Sequence, residues 1–291
     1  MKRGESEAVS NLCVYVDSVN PPYAGQIASL ISASAEAGIE LSSSDFSSQV
    51  LEHFDLHVSG GCDAAVVLGG DGTILRGLKY FSADAIPVLG VNTGHLGFLA
   101  SAEVPELQGV MRQLAEGDYR IEDYPLLRAE LPSGKVFTAM NDVAVNRSIL
   151  GGILRMELFL DRERVASIAG DGVVISTPLG STAYGLSCGG PILDPALPAM
   201  LVIPICAHQL SLRPMVVPDS LTVSIETGEQ RGGSPCVACD GTVEGSMNAG
   251  DRLKVTRDRG FCRMIQTRGR GSHYSHLGRK LGWGTRSDMR C

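Results

Sequence analysis

The chain has 291 residues, enough for one large or two ordinary domains, and its content of 44% hydrophobic and 20% charged residues is that of a globular protein. A net charge of −7 argues against a nucleic-acid partner. No apolar run reaches the ~20 residues that a membrane helix needs, so we expect no membrane-bound protein.

Residues 1–125 alternate strand and helix signals and are predicted to form one α/β domain. The predicted elements are strands at Leu12–Val16, Ala64–Leu68 and Ile86–Val91 and helices at 23–37 and Val104–Leu114. This alternation favours a parallel sheet with helices packed on it, whose ligands bind beyond the carboxyl ends of the strands. Two glycine-containing segments fall at such ends, Gly69–Thr73 and Asn92–Gly94.

Residues 126–267 are predicted to form an all-β sandwich domain, because short strand-like runs follow one another with turns between them. The runs are Leu126–Leu131, Val136–Ala139, Val143–Asn146, Leu154–Leu160, Val173–Ser176, Leu201–Ile205, Leu221–Ile225, Leu253–Thr256 and Phe261–Gln266. Residues 268–291 are basic and are interpreted as a solvated tail. We expect a short helix around Tyr274–Leu281 that packs back on the α/β domain.

The most informative run is Val66–Leu75, in which a β-branched strand ends in a glycine turn that holds one carboxylate, Asp71. Glycines let a backbone approach a bulky polar ligand, and N–H groups at the next helix start face an anion. A carboxylate aimed at the same point suits a hydroxyl about to attack phosphorus, or a metal ion. The run matches neither the Walker A loop nor the Gly-x-Gly-x-x-Gly motif.

A second dense segment, Asp171–Pro191, takes a strand into a turn rich in hydroxyl groups and then into a short helical stretch. Ser181 or Thr182 is predicted to cap the start of that helix. Tyr184 offers a ring that can lie against an aromatic ligand while its hydroxyl still forms a hydrogen bond. By itself, the segment fits an elaborate structural turn equally well.

Three shorter signals each admit a functional and a structural interpretation. Asn141 can read the edge of adenine and Asp142 can bind ribose hydroxyls, or the pair can form an ordinary turn. A lone His208 is more often structural than catalytic. Asp240 precedes a glycine, as is typical of a hairpin turn.

The eight cysteines are scattered along the chain, which predicts a reduced, cytoplasmic protein. The chain begins with charged residues and lacks the apolar core of a secretion signal. Cys236 and Cys239 form a single Cys-x-x-Cys pair, and alternation across a strand favours packing there over a zinc site.

In order and spacing, these motifs together resemble the NAD kinase family. The matching segments are Gly69–Thr73, Leu89–Leu99, Asn141–Asp142, Asp171–Gly172, Thr177–Tyr184, Pro204–His208, Asp240–Gly241 and Leu281–Gly284. The resemblance covers roughly residues 10 to 285. The glycine turn alone is shared with diacylglycerol-type lipid kinases and is similar to one in phosphofructokinases, whereas the segment Thr177–Tyr184 is much more specific.

The resemblance implies a fold and an activity. The fold is an α/β N-terminal domain, Rossmann-like and phosphofructokinase-like with a parallel sheet, followed by an all-β C-terminal sandwich. The activity is phosphorylation of the adenosine-ribose 2′-hydroxyl of NAD to give NADP, with ATP and nucleotide-bound Mg²⁺ and, in some bacterial members, inorganic polyphosphate. Members are homodimers or homotetramers.

The resemblance also implies roles for individual residues. Asp71 is the catalytic carboxylate, with Gly72 and Thr73 beside it. The residues expected to bind NAD are Asn141, Asp142, Asp171, Thr182, Ala183, Tyr184, Ser187, His208 and Asp240, with Asn141 and Asp142 on adenine and ribose and Asp171 near the nicotinamide end. No residue is predicted to hold a metal ion directly.

Three positions depart from the family pattern. The chain has Leu179 where threonine is usual, Ala207 where proline is usual, and Ala169 where some members carry arginine. None of them alters Asp71, so we expect activity to be retained. Two alternatives remain open at this point, a lipid kinase with the same glycine turn and a non-catalytic sensor of NAD or NADP.

Overall fold

The structure is a computed structural model that describes residues 3–4, 6–17, 23–47, 52–58, 61–94, 97–148, 152–229, 234–268 and 273–283. Three residues of the motifs quoted above, His95, Leu96 and Gly284, lie outside these ranges. The chain divides into two compact units, one of Met1–Asp123 with Cys262–Cys291 and one of Tyr124–Phe261. The sequence placed the divisions at 125 and 267.

In chain order the elements are β1 (Arg3–Gly4), β2 (Asn11–Val16), α1 (Ala24–Ala37), β3 (Glu40–Ser43), β4 (Ala64–Gly69), α2 (Asp71–Ser82), β5 (Val88–Asn92), β6 (Ala102–Glu103), α3 (Leu107–Ala115), β7 (Arg120–Glu130), β8 (Val136–Ala139), β9 (Asp142–Asn146), β10 (Leu154–Leu160), β11 (Glu163–Gly170), β12 (Gly172–Ser176), α4 (Tyr184–Ser187), β13 (Ala199–Ile205), β14 (Met215–Pro218), β15 (Val223–Thr227), β16 (Cys236–Cys239), β17 (Thr242–Ser246), β18 (Arg252–Gln266) and α5 (His273–Lys280). Short 3-10 helices lie at Asp45–Ser47, Glu52–Phe54, Val104–Glu106 and Leu179–Thr182.

The first unit is built on a parallel sheet in the order β5-β4-β2-β3. The two-residue strand β6 and the end of β18 also pair with β5 in parallel. Every residue of β4 is buried, as expected for a parallel strand covered on both faces. One hydrophobic core joins α1 and α3 to the sheet through Leu30, Met111 and Leu114. The predicted α/β class is confirmed.

The second unit consists of two antiparallel sheets. One has the order β14-β13-β12-β9-β16-β17, and the other joins β11, β10, β15, the first part of β18, β7 and β8. A single hydrophobic cluster draws on both sheets, with Val145 and Val173 from the first and Met156 and Ile225 from the second. The predicted all-β sandwich is confirmed, and the strand prediction for Cys236–Cys239 is confirmed with it.

In the described part of the chain, four strands of four or more residues were not predicted from the sequence, and all four lie at sheet edges. They are β3, β11, β14 and β17. An edge strand buries fewer side chains, so its apolar pattern is weak, and β17 has no fully buried residue. The sequence also predicted two strands where the structure has one, because the polar middle of β18 interrupts the apolar signal.

Candidate active site

The glycine turn joins β4 to α2 in the first unit, and the predicted strand, turn and helix are confirmed there. Gly70 is extended, with φ −86° and ψ −179°, and Asp71 is the first helical residue. A Cβ on Gly69 would lie 2.5 Å from the Cβ of Thr73, so the turn requires glycine at that position. The turn therefore places a carboxylate at a helix N-terminus, where the helix dipole favours negative charge.

Both carboxylate oxygens of Asp71 accept hydrogen bonds from the loop that follows β5. The amide of Phe98 donates to Oδ2 at 2.8 Å and that of Leu99 to Oδ1 at 3.0 Å. The Lys280 ammonium donates to Oδ2 at 3.0 Å. Burial alone would raise the pKa of Asp71, but the amides of Leu99 and Phe98 and the ammonium of Lys280 outweigh it and hold that pKa below its ordinary value.

Three groups around Asp71 had no role predicted from the sequence. Gly97 leaves room for the carboxylate, because a Cβ there would overlap Oδ1 of Asp71. The amides of Phe98 and Leu99 lie within the segment Leu89–Leu99 quoted above. That segment was therefore the sequence signal from which their role could have been predicted. Lys280 belongs to the basic segment interpreted as solvated, and that interpretation is wrong for this side chain, which is 27% exposed and bound to Asp71.

The two residues that follow Asp71 differ in accessibility. Gly72 is exposed, so its backbone is accessible at the helix start. Thr73 is 8% exposed and packs against Gly69, while its Oγ1 accepts a 3.3 Å hydrogen bond from Arg76. Arg76 also forms an ion pair with the buried Asp17. The Thr73 hydroxyl is therefore engaged within the protein.

The other predicted strand-end segment, Asn92–Gly94, borders a cleft of about 400 Å³. The Asn92 side-chain amide donates to the carbonyl of Gly94 at 3.0 Å and shapes this turn. The start of α1 lines the cleft from another side, with Gly25, Gln26 and Ser29. The cleft lies beyond the carboxyl end of β5, as expected for a parallel sheet.

In the second unit, Asp240 organises the backbone around Asn141 and Asp142. Its Oδ2 accepts from the amide of Met140 at 2.9 Å, and its Oδ1 accepts from the amides of Asn141 at 2.7 Å and Asp142 at 3.2 Å. Asp240 and Gly241 both have positive φ, at 49° and 79°, and link β16 to β17. The hairpin interpretation is therefore correct, and the carboxylate of the same turn fixes the segment 140–142.

The carboxyl of Asp142 is buried, with the residue only 5% exposed. Burial, reinforced by the negative charge of Asp240, raises the pKa of Asp142 to about 7. Asp142 therefore exchanges a proton with water near neutral pH, where an ordinary aspartate is fully ionised.

The segment Thr177–Tyr184 packs directly against Asn141. The Thr177 amide donates to the carbonyl of Asn141 at 2.9 Å, and Gly180 approaches so closely that a Cβ there would overlap the Asn141 backbone. The predicted cap is wrong, because neither Ser181 nor Thr182 caps α4. Ser181 instead donates to the carbonyl of Pro178 at 2.6 Å and accepts from the amide of Leu193 at 2.9 Å. The turn uses its hydroxyls to bind its own backbone.

The remaining predicted residues of this segment lie on or beside α4. Tyr184 is 41% exposed and Ser187 is exposed, whereas Thr182 and Ala183 are half-buried. Partial burial raises the pKa of Tyr184, and the negative charge of Asp142 contributes to that shift. The charge interaction therefore places Tyr184 near Asp142.

Asp171 and His208 lie at the other end of β12. Asp171 pairs with Arg147 at 3.2 Å, and the His208 amide donates to the carbonyl of Ala169 at 2.8 Å. His208 is exposed. At a rise of ~3.3 Å per residue, the six residues from Asp171 to Thr177 span roughly 20 Å. The predicted binding residues of this unit thus form two groups at opposite ends of one strand.

Within the residues that the structure describes, no three His, Cys, Asp or Glu side chains lie together as they would around a metal ion. No helix in that part of the chain is long and apolar enough to cross a membrane.

Two family models match the chain. ATP-NAD kinase N-terminal domain matches residues 19–119, and ATP-NAD kinase C-terminal domain matches residues 140–267. The NAD kinase of Mycobacterium tuberculosis is 42% identical over 207 residues, which cover 70% of this chain and 67% of that protein. The NAD kinase of Syntrophotalea carbinolica is 35% identical over 234 residues, covering 79% and 81%.

Two solved structures share the fold. Yeast NADH kinase complexed with NADH superimposes with a TM-score of 0.85 at 25% identity, covering 96% of this chain and 89% of that one. An NAD kinase from Archaeoglobus fulgidus in complex with ATP gives a TM-score of 0.74 at 23% identity, covering 94% and 98%, and supports the fold alone. These matches decide against the lipid-kinase alternative. The chain belongs to the ATP-NAD kinase family and is a phosphotransferase that acts on NAD.

Proposed function

We propose that the protein transfers the γ-phosphate of ATP to the 2′-hydroxyl of the adenosine ribose of NAD and that Asp71 accepts the hydroxyl proton. The observation that carries this proposal is the setting of Asp71, a carboxylate held at the start of α2 by two backbone amides and an ammonium. A site built only to hold phosphate has no use for a negative charge at that point.

The lowered pKa of Asp71 supports a role in orienting the hydroxyl more than in removing its proton early. Phosphoryl transfer passes through a loose transition state in most analyses, so the nucleophile needs little activation before the new bond forms. Holding the hydroxyl and the γ-phosphate in line can supply ~7–11 kcal/mol, whereas general-base help is worth ~10²–10⁴-fold in rate. Alignment is therefore the larger contribution.

The residues of the second unit supply a candidate binding surface for NAD. Asn141 would read adenine, Asp142 would bind ribose hydroxyls, and the exposed ring of Tyr184 would stack on a base. Thr182, Ala183 and Ser187 would line the same end. Asp171 and His208, roughly 20 Å away along β12, suit the far end of a dinucleotide.

The carboxylate of Asp240 is assigned a supporting role, because it accepts hydrogen bonds from the backbone amides of residues 140–142. The Thr73 side chain is assigned a similar role within the glycine turn, while the amides of Gly72 and Thr73 remain candidates for phosphate contacts.

The phosphoryl donor and the metal ion bound to it are also part of the proposal. The match to ATP-NAD kinase models supports ATP as donor, with polyphosphate as the alternative to test. Mg²⁺ is proposed to arrive on the nucleotide, since phosphate oxygens are the ligands that this ion prefers. A homodimer or homotetramer and a cytoplasmic location stay predictions.

The test is a product assay with the purified chain. Incubation with NAD, ATP and Mg²⁺ should yield NADP, with the new phosphate on the 2′ position by phosphorus NMR. Parallel reactions with NADH, with polyphosphate and with diacylglycerol define the acceptor and the donor. Failure to form any NADP overturns the proposal, and binding of NAD without turnover would then identify a sensor.

A further inference from the structure

Helix α5 places Lys280 directly on the proposed catalytic carboxylate. Its Nζ lies 3.0 Å from Oδ2 of Asp71 and 3.7 Å from the ring centre of Phe98. The two partners are 209 positions apart in the sequence. The function proposed above uses this ammonium only as one of the groups that hold Asp71 and gives it no part of its own in the reaction.

Helix α5 is anchored to the same loop that binds Asp71. His276 and Leu277 are buried at 5% and 2% exposure, and the ring of His276 hydrogen-bonds through Nε2 to the carbonyl of Gly97. Lys280 lies four residues after His276 and so projects from the same face of the helix. The ammonium is thus held at the carboxylate by packing as well as by charge.

The donors around Asp71 make its two oxygens unequal. Oδ2 receives two hydrogen bonds, from the amide of Phe98 and from Lys280. Within the described residues, Oδ1 receives one, from the amide of Leu99. A carboxylate offers about four lone-pair sites, two on each oxygen, so Oδ1 keeps a site for a further donor.

We propose that Lys280 is a positioning residue for phosphoryl transfer. Its ammonium occupies the second acceptor site of Oδ2 of Asp71, so that Oδ1 is the oxygen that accepts the hydrogen bond of the ribose hydroxyl. This inference rests on the proposed function. In the step, the ribose oxygen forms its bond to the γ-phosphorus while the bond from that phosphorus to the β-bridging oxygen breaks. The hydroxyl proton passes to Oδ1 and then to water, and ADP leaves with the bond's electron pair.

A role in positioning predicts a particular kinetic pattern. Lys280→Met keeps the apolar stem and removes the charge, so it should lower kcat about 10- to 100-fold, as expected for a misplaced reacting group. KM for NAD and for ATP should stay within about threefold, because the interaction acts in the transition state. Lys280→Arg can still donate to Oδ2 and should recover kcat to within about fivefold of wild type.

The control is Arg112→Met, which removes the same charge from an exposed position of α3 in the same unit. It should leave kcat and KM within about twofold of wild type. The double variant Asp71→Asn with Lys280→Met should be no slower than Asp71→Asn alone, since Lys280 acts through Asp71. Thermal unfolding of each variant, followed by circular dichroism, confirms that the compared proteins are folded.

The outcomes separate the possible roles. An unchanged kcat in Lys280→Met, a rise confined to KM for ATP, or an equal loss in Arg112→Met would each overturn the inference. Should Lys280→Met not fold, Lys280→Gln is judged by the same criteria. A wild-type protein that forms no NADP defeats the proposed function itself, whereas activity that needs Asp71 but tolerates Lys280→Met defeats only this inference.

Discussion

Each unit of the protein contains an aspartate that is proposed to act on substrate, half-buried Asp71 in one and buried Asp142 in the other, and the pKa values of the two carboxyls shift in opposite directions. Burial works to raise the pKa of both. At Asp71 the surrounding donors outweigh burial and the pKa falls below its ordinary value, whereas at Asp142 the pKa rises to about 7. The charge state therefore depends on the donors and charges nearby as well as on burial.

The difference lies in where the nearby backbone amides point. Those of residues 98 and 99 point at Asp71 itself, and Lys280 adds a positive charge. Those of residues 140–142 point at Asp240, and the pKa of Asp142 is raised by burial and by the charge of Asp240. In the first unit the amides bind the carboxylate that is expected to react. In the second unit they bind the carboxylate that fixes the backbone of residues 140–142.

The largest expected effect comes from removing the ionised carboxylate of the first unit. Asp71→Asn should lower kcat by about 10²- to 10⁴-fold, because the amide cannot take the proton, with KM for NAD within about threefold. Steady-state NADP formation measures both values. Asp84→Asn, an exposed aspartate of the same unit, is the matched control. A kcat close to wild type in Asp71→Asn would remove Asp71 from the mechanism.

The second prediction concerns the proton held by Asp142. The pKa of Asp142 is raised in the folded protein to about 7. At a pH between the ordinary aspartate pKa and about 7, the folded protein therefore holds a proton that the unfolded chain lacks. The free energy of unfolding consequently falls as the pH rises through that range. We expect a loss of about 3 kcal/mol between about pH 5 and about pH 8.5.

Unfolding of the wild type and of Asp142→Asn at the two pH values measures this loss. The variant should show a smaller pH dependence and a higher melting temperature at the alkaline pH, because a neutral amide needs no ionisation. The exposed substitution Glu163→Gln in the same unit should keep the wild-type dependence. If the wild type and Asp142→Asn responded equally to pH, the raised pKa would have no consequence for stability.

The third prediction tests the close approach that shapes the Asn141 region. Gly180→Ala should destabilise the second unit by about 1–3 kcal/mol and raise KM for NAD, because its Cβ overlaps the Asn141 backbone. Gly228→Ala has only ordinary contacts, 3.5 Å or longer, and should leave both quantities near wild type. Equal effects from the two substitutions would contradict the packing argument.

The smallest expected effect tests the corresponding glycine beside Asp71. Gly97→Ala should lower kcat about tenfold with little change in KM, because the new methyl displaces Oδ1 and the carboxylate must shift. Gly109→Ala meets open space on α3 and should keep full activity with slightly higher stability. A fully active Gly97→Ala would mean that the position of Oδ1 is not critical.

The interior strands could be predicted from the sequence and the edge strands could not. A central strand such as β4 buries all its residues and leaves a continuous apolar run, while β17 buries none fully. The turn at Asp71 was predictable for a similar reason, since strand, glycines and helix follow one another within a few residues. The helix cap predicted at Ser181 or Thr182 was wrong, because both hydroxyls donate instead to backbone carbonyls three residues earlier, those of Pro178 and Leu179.

The sequence by itself determined the fold class, the family and the place of Asp71, because periodicity, turn chemistry and motifs act over short stretches of chain. Only the tertiary structure decided the charge states of Asp71 and Asp142 and brought Lys280 to the carboxylate. A pKa depends on which donors and charges come within hydrogen-bond distance. Those groups lie up to 209 residues away, where local patterns carry no information.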